Sequence, residues 1–238
     1  MNNDFFQPWI MPRKFPQLFA HELHLWLVSL EKSTEELWDL WQLLTPTEKE
    51  KAHQFKFPAL KNRFIVTQGT LRQLISAYLE IAPPQISFAR QHHGKPYISQ
   101  IATELKFNLS HAEHYALFAF ALQREVGVDI ELIRKNFPID DVCRRFFHPD
   151  EVKVLLNFTA MQRARMFFNY WVRKEAFIKA IGLGLFCALN EFKIELTPQQ
   201  SIVWGEGTRW LLQELPVFSG YAAAVVHEGS ALALKLFR

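Results

Sequence analysis

The segment Val126-Gly127-Val128-Asp129-Ile130-Glu131 alternates apolar and acidic residues. As a strand it turns Asp129 and Glu131 to one face and sends Val128 and Ile130 to the core. Carboxylates at that spacing raise each other's pKa unless a cation lies between them, and oxygen-only ligands on a rigid element suit Mg2+. The same spacing also fits the solvated end of an ordinary strand. A second set lies in Trp171-Val172-Arg173-Lys174-Glu175-Ala176-Phe177-Ile178-Lys179. Glu175 and Lys179 are four apart and share a helix face, the arrangement of a common surface ion pair. Here, however, Trp171, Phe177 and Ile178 crowd the neighbouring positions. Gly182 and Gly184 follow, as they would where backbone must approach another segment closely. A carboxylate in that setting could complete a three-oxygen metal site, with Lys179 beside it to neutralise phosphate oxygens.

Three smaller groups remain. Phe107-Asn108-Leu109-Ser110-His111 puts a polar tip on a short strand; Ser110 and His111 either bind phosphate there or begin a turn. No carboxylate at a telling spacing makes them a hydrolase triad. His111 and His114 lack the HExxH spacing, which argues against zinc. Gly94-Lys95-Pro96 reads as a turn before a strand or as a backbone-plus-lysine contact, and the residues of a Walker loop are missing around it. Lys49, Lys51, Lys56, Lys61 and Arg63 form either a solvated helix face or a dock for a terminal phosphate.

The composition narrows the partners. In 238 residues, 27 Lys and Arg stand against 24 Asp and Glu, and the net charge of +3 is too small to argue for nucleic acid. Met1–Trp9 carries Asp4 and no Lys or Arg, so no secretory leader is expected. The only two cysteines, Cys143 and Cys187, then stay reduced in a cytoplasm. Apolar stretches such as Leu215–Val226 are broken by Pro216, Ser219 and Gly220, and fall short of the ~20 residues a membrane span needs.

The elements that must position these groups come in a repeated order. A strand at His24–Leu30 precedes a short helix opened by Ser33-Thr34-Glu35-Glu36. Thr45-Pro46-Thr47-Glu48 has the form of a capping box opening a helix to about Phe55. A long amphipathic helix spans Ala59–Leu79. Strands are expected at Ile86–Ala89, Pro96–Ser99, Lys106–Leu109 and Tyr115–Leu122. The order then returns: a strand at Val126–Glu131, a helix at Pro138–Phe147, a helix start at His148-Pro149-Asp150-Glu151, a long helix at Ala160–Ile181, and strand-rich sequence from Glu191 to Phe237. Pro46, Glu48 and Phe55 recur 103 residues later as Pro149, Glu151 and Phe158. The expected fold class is α+β, built as two similar halves, 1–123 and 124–238, with the ligand crevice between them and the metal carboxylates on the second.

The wording of these motifs also resembles a family. GKP at Gly94–Pro96, FNLSH at Phe107–His111, GVDIE at Gly127–Glu131, RRFFHPDE at Arg144–Glu151 and WVRKEAFIKAIGLGL at Trp171–Leu185 resemble the Sfp-type 4′-phosphopantetheinyl transferases. The likeness runs from about Thr45 to Leu185, and GVDIE followed by WxxKEAxxK is its most specific part. It implies a monomeric pseudo-dimer of two α+β halves that moves the phosphopantetheine arm of coenzyme A to a serine of an apo acyl- or peptidyl-carrier protein, releasing adenosine 3′,5′-bisphosphate. It further implies that Asp129, Glu131 and Glu175 surround Mg2+, that Glu175 is also the general base, and that Lys179 steadies the pyrophosphate. By the same likeness Ser110 and His111 bind phosphate oxygens, Lys95 and Pro96 border the adenine, and Lys51 and Arg63 bind the 3′-phosphate.

Some positions depart from the family's pattern. Glu48 stands where a second lysine is frequent, Ala112 where a hydroxyl residue often follows Ser-His, and Val172 where a small hydroxyl residue often follows the tryptophan. Two other readings of the same residues are a metal-dependent phosphohydrolase with water as nucleophile, and a non-catalytic coenzyme A or carrier-binding module. Carrier docking is expected around Arg134–Phe147, which mixes Ile133, Phe137, Ile139 and Val142 with Arg134, Lys135, Arg144 and Arg145 and would suit an acidic helix.

Overall fold

The computed structural model describes residues 9–184, 188–205 and 207–238, so Leu185 and Cys187 lie outside the described residues. Two 22-residue helices dominate: α3 (Pro58–Leu79) and α6 (Ala160–Ile181). Each follows a short helix whose capping glutamate reaches a cation on it. In α2 (Pro46–His53), Thr45 and Glu48 form the expected capping box, and Glu48 also grips Arg72 of α3 through two oxygens at 2.7 and 2.9 Å. In α5 (Pro149–Leu156), His148 replaces the hydroxyl cap and Glu151 lies 2.9 Å from Lys174 of α6. The recurring glutamate thus does two jobs in each half, filling orphan amides at a helix start and neutralising a buried cation.

Two four-stranded sheets lie between the long helices. The first runs β10 (Ala233–Phe237), β1 (Glu22–Ser29), β5 (Tyr115–Leu122), β4 (Leu105–Ala112); the second runs β6 (Val126–Leu132), β9 (Tyr221–Glu228), β8 (Thr208–Glu214), β7 (Gln199–Trp204). A separate hairpin pairs β2 (Ser87–Arg90) with β3 (Pro96–Ser99). Helix α1 (Thr34–Gln42) packs against α3, and α4 (Ile139–Phe146) completes the second half.

Strand alternation explains the layering. Ala116, Phe118 and Phe120 of β5 face the core under α3, while Leu117, Ala119 and Ala121 face Val126, Val128 and Ile130 of β6 and Val225 of β9. The other face of β9, through Ala222, Ala224 and Val226, joins the core under α6. The order is therefore helix, sheet, sheet, helix, with three apolar layers between them.

This arrangement corrects two readings. The acidic face of β6 is covered by α6 instead of being solvated: a side chain on Gly127 would stand 2.1 Å from the carbonyl oxygen of Ala176. The boundary near residue 123 falls between β5 and β6, but the last strand does not keep to it. β10 returns to pair in parallel with β1 in the first sheet, because Leu234 and Leu236 pack on the core between the sheets. Among the described residues no helix is long and apolar enough to cross a membrane.

Candidate active site

The two sheets meet edge to edge at β4 and β6, the strands that carry FNLSH and GVDIE. Asn108 stitches them: its side-chain carbonyl accepts a hydrogen bond from the Val128 amide at 3.0 Å. One residue pair further along, Ser110 Oγ donates to Asp129 Oδ1 at 2.7 Å, and Lys179 Nζ reaches the same oxygen at 2.7 Å from α6. Asp129 is only 4% exposed, and its second oxygen, Oδ2, has no partner among the described residues. A buried carboxylate oxygen left open in this way suits a further positive ligand.

Glu131 and Glu175 line the same crevice of about 440 Å³, together with Leu109, Ser110, His111, Asp129, Trp171 and Lys179. Burial pushes Glu131 up to about 7, and Asp129 adds to the rise while Arg134 and Lys179 oppose it. Burial also raises Glu175, again with help from Asp129 and against Lys179. Side chains that resist ionisation because they crowd each other are stabilised by a cation placed among them. The donor set is all oxygen, which fits a hard divalent ion. Even so, among the described residues no three acidic, histidine or cysteine side chains form a ready-made metal cluster, and Lys179 occupies one oxygen of Asp129.

A larger cleft of about 650 Å³ opens beside this crevice and shares Leu109 and Lys179 with it. It is walled by Thr47, Glu48, Lys51, Phe64 and Gln68 from the α2–α3 region and by Phe88, Arg90, His93, Gly94, Lys95 and Pro96 from the hairpin. Lys51 lies 5.3 Å over the Phe64 ring at its edge.

Several site residues sit differently from their expected roles. Ser110 and His111 lie within β4, not at a turn, and Ser110 spends its proton on Asp129, so it orients that carboxylate. His111 is exposed as a whole, yet its ring stands close enough to the crevice wall that desolvation lowers its pKa, with Arg63 and Lys179 adding to the effect. Arg63 does not share the cleft wall with Lys51. It lines a separate depression with Glu31, Lys32 and Asn62 and lies 3.6 Å from Glu113, because Lys51 stands on α2 and Arg63 on α3, two helices that present their cations to different surfaces. Lys95 keeps its stem at the cleft but buries its ammonium against Glu125, Val126 and Ala180.

Glu48 is consumed by its cap and by Arg72, which explains why a lysine is absent there. Ala112 and Val172 are both buried in apolar layers, where a hydroxyl would need a partner. The residues that sequence reasoning missed are Asn108, Gln68 and Arg90. Only the pairing of Arg90 with Pro96 across the hairpin, predictable from the turn at Gly94, pointed to the last of them.

Residues 125–226 match the model of the 4′-phosphopantetheinyl transferase superfamily, and residues 30–123 match that of the 4′-phosphopantetheinyl transferase N-terminal region. The chain is 35% identical over 214 residues to the 4′-phosphopantetheinyl transferase HetI of Nostoc sp., covering 89% of this chain and 90% of that one. It belongs to the 4′-phosphopantetheinyl transferase family. The Sfp transferase of Bacillus subtilis is similar too, at 31% identity over 165 residues, 69% of this chain and 71% of Sfp. The two family matches meet between β5 and β6, beside the β4–β6 seam that joins the transferase's two sheets.

Proposed function

We propose that this transferase moves the 4′-phosphopantetheine group of coenzyme A onto a serine hydroxyl of an apo acyl- or peptidyl-carrier protein, with Mg2+ at the acidic crevice, and releases adenosine 3′,5′-bisphosphate. The observation that carries the reading is that Lys179 lines both cavities: a nucleotide in the wide cleft would place its pyrophosphate at that ammonium, directly beside Asp129, Glu131 and Glu175. Both halves of one chain supply this seam, which supports a monomer as the working unit.

Asp129, Glu131 and Glu175 would hold the metal, whose part is to bind pyrophosphate oxygens and draw off negative charge. Glu175, raised by burial, is suited to accept the proton of the incoming serine. The serine oxygen forms a bond to the phosphorus that carries pantetheine, and the bond from that phosphorus to the bridging oxygen breaks. Lys179 balances charge on the departing bisphosphate. Ser110 keeps Asp129 turned toward the crevice throughout. In the wide cleft, Lys51 and Arg90 are the exposed cations placed to meet the nucleotide phosphates.

The test is a mass measurement on an apo carrier protein incubated with coenzyme A and Mg2+. The expected result is a gain of one phosphopantetheine on the carrier serine, abolished by chelation. For Glu175→Gln the rate should fall by a factor of about 10² or more; full turnover by this variant would refute the base assignment. Hydrolysis of coenzyme A without any carrier would favour a phosphohydrolase instead.

A further inference from the structure

Lys95 is 9% exposed although it lies in a surface hairpin. Its Nζ donates to Glu125 Oε2 at 2.6 Å, to the Val126 carbonyl at 3.1 Å and to the Ala180 carbonyl at 2.8 Å. An ammonium has three protons, and these three acceptors use them all. None is left to bind a nucleotide.

The acceptors belong to the parts that must be held in register. Ala180 lies in the last turn of α6, where unpaired carbonyls collect and a cation is favoured; five residues earlier the same helix presents Glu175. Val126 opens β6, the strand of Asp129 and Glu131. Glu125 sits in the link between the halves and takes a second cation, Lys106, at 3.1 Å. On the near side, Lys95 belongs to the turn that walls the wide cleft with Arg90, His93 and Pro96. The glycines after α6 press on the same turn: a Cβ on Gly182 would stand 2.9 Å from Gln91 Oε1, and one on Gly184 would stand 3.1 Å from the His93 carbonyl. Both have left-handed φ, 73° and 54°, so the chain can double back against the hairpin only there.

We infer that Lys95 is a positioning residue and not an adenine ligand: it clamps the hairpin wall of the nucleotide cleft to the ends of β6 and α6, and so fixes the gap between that cleft and the acidic crevice. The inference rests on coenzyme A being the molecule that spans the two cavities. Its pyrophosphate has to reach from one to the other past Lys179, and a shift of about 1 Å in such a span is enough to cost a large share of rate and affinity.

The test uses Lys95→Met, Glu125→Ala and the double variant in the full chain, with hydrogen exchange and calorimetric titration of coenzyme A in the presence of Mg2+. Amides of 91–97 and of 178–184 should exchange faster together, by about tenfold or more, in each single variant. Coenzyme A affinity should fall by about tenfold in both, and the double variant should bind no more weakly than Lys95→Met alone, because the two residues act through one link. If Glu125→Ala binds like the native protein while Lys95→Met does not, Lys95 is a direct ligand and the inference fails. Faster exchange with unchanged affinity in both variants also overturns it, leaving the clamp without a role in binding. Failure of the native protein to bind coenzyme A would instead refute the functional reading, while the paired exchange response would still show whether Lys95 couples the two segments.

Discussion

Lys179 Nζ lies 2.7 Å from Asp129 Oδ1, although 50 residues separate the two, and it ties helix α6 to the edge strand β6 at the acidic crevice. The lysine leaves Oδ2 of the same carboxylate open. A cation from solution and a cation from the chain can therefore share one aspartate, each on its own oxygen. Lys179→Met should lower the transfer rate by about 10²-fold, the scale for losing one charged donor at a developing anion. It should also tighten apparent Mg2+ affinity, because Asp129 loses its internal competitor. A Mg2+ titration of carrier modification by mass shift reads both, and an unchanged or weaker apparent Mg2+ affinity would contradict the shared-aspartate arrangement.

Glu48 is a structural carboxylate. It caps α2 and neutralises Arg72, which is 2% exposed. Glu48→Lys, which would introduce the lysine common in related transferases, is expected to weaken the fold by about 3–5 kcal/mol, since it leaves Arg72 buried beside a like charge. Urea unfolding checks this. Tighter coenzyme A binding with undiminished stability would contradict it.

Gly127 lets β6 lie directly under α6. An added methyl would meet the Ala176 carbonyl oxygen at 2.1 Å and the Ala180 amide nitrogen at 2.2 Å, and these backbone atoms cannot swing aside. Gly127→Ala should cost on the order of 3 kcal/mol and lower the melting temperature, as overpacking does when no side chain can yield. Thermal unfolding of the purified variant measures the loss.

Arg144 and Arg145 are exposed on α4. Arg145 lies 5.1 Å over Phe146, which meets Trp171 edge-on at the rim of the acidic crevice. Reversing both arginines to glutamate should raise KM for an acidic carrier protein by about tenfold at low salt and leave coenzyme A affinity unchanged. Equal loss of both would place these residues outside carrier docking.

Burial opposes ionisation of Glu125, but Lys95, and then Lys106, outweigh it and hold the carboxyl below its ordinary value of 4.5. A depressed carboxylate adds stability that is complete above about pH 4.5 and is lost as pH falls through the lowered pKa. Glu125→Gln should therefore be less stable than the native chain at pH 6, with the difference shrinking as pH falls below 4.5 and through the lowered pKa. Urea midpoints across that range read the convergence, and a gap that widens with acid would contradict the link.

The sequence by itself determined the elements and the chemical inventory. The capping pattern at Thr45–Glu48, the period of Ala160–Ile181 and the alternation in β6 are local properties of the chain, so helix and strand were legible to within a residue or two. The repeated proline and glutamate also marked a short helix followed by a long one in each half; that the glutamate ties the two together is visible only in the fold. Which partner each charged group takes was decided only by tertiary structure. Lys95 reads as a ligand-pocket residue until Glu125, 30 positions away, claims it, and Glu48 reads as a helix cap until Arg72, 24 positions away, takes its carboxylate as well. Arg63 and Lys51 share a basic stretch yet face different depressions. Strand β10 joins the first sheet because its leucines find an apolar layer there, a contact more than 200 residues from β1 in sequence. Spacing fixes what lies on one face of one element, whereas charge pairing and sheet edges depend on which elements the folded chain brings side by side.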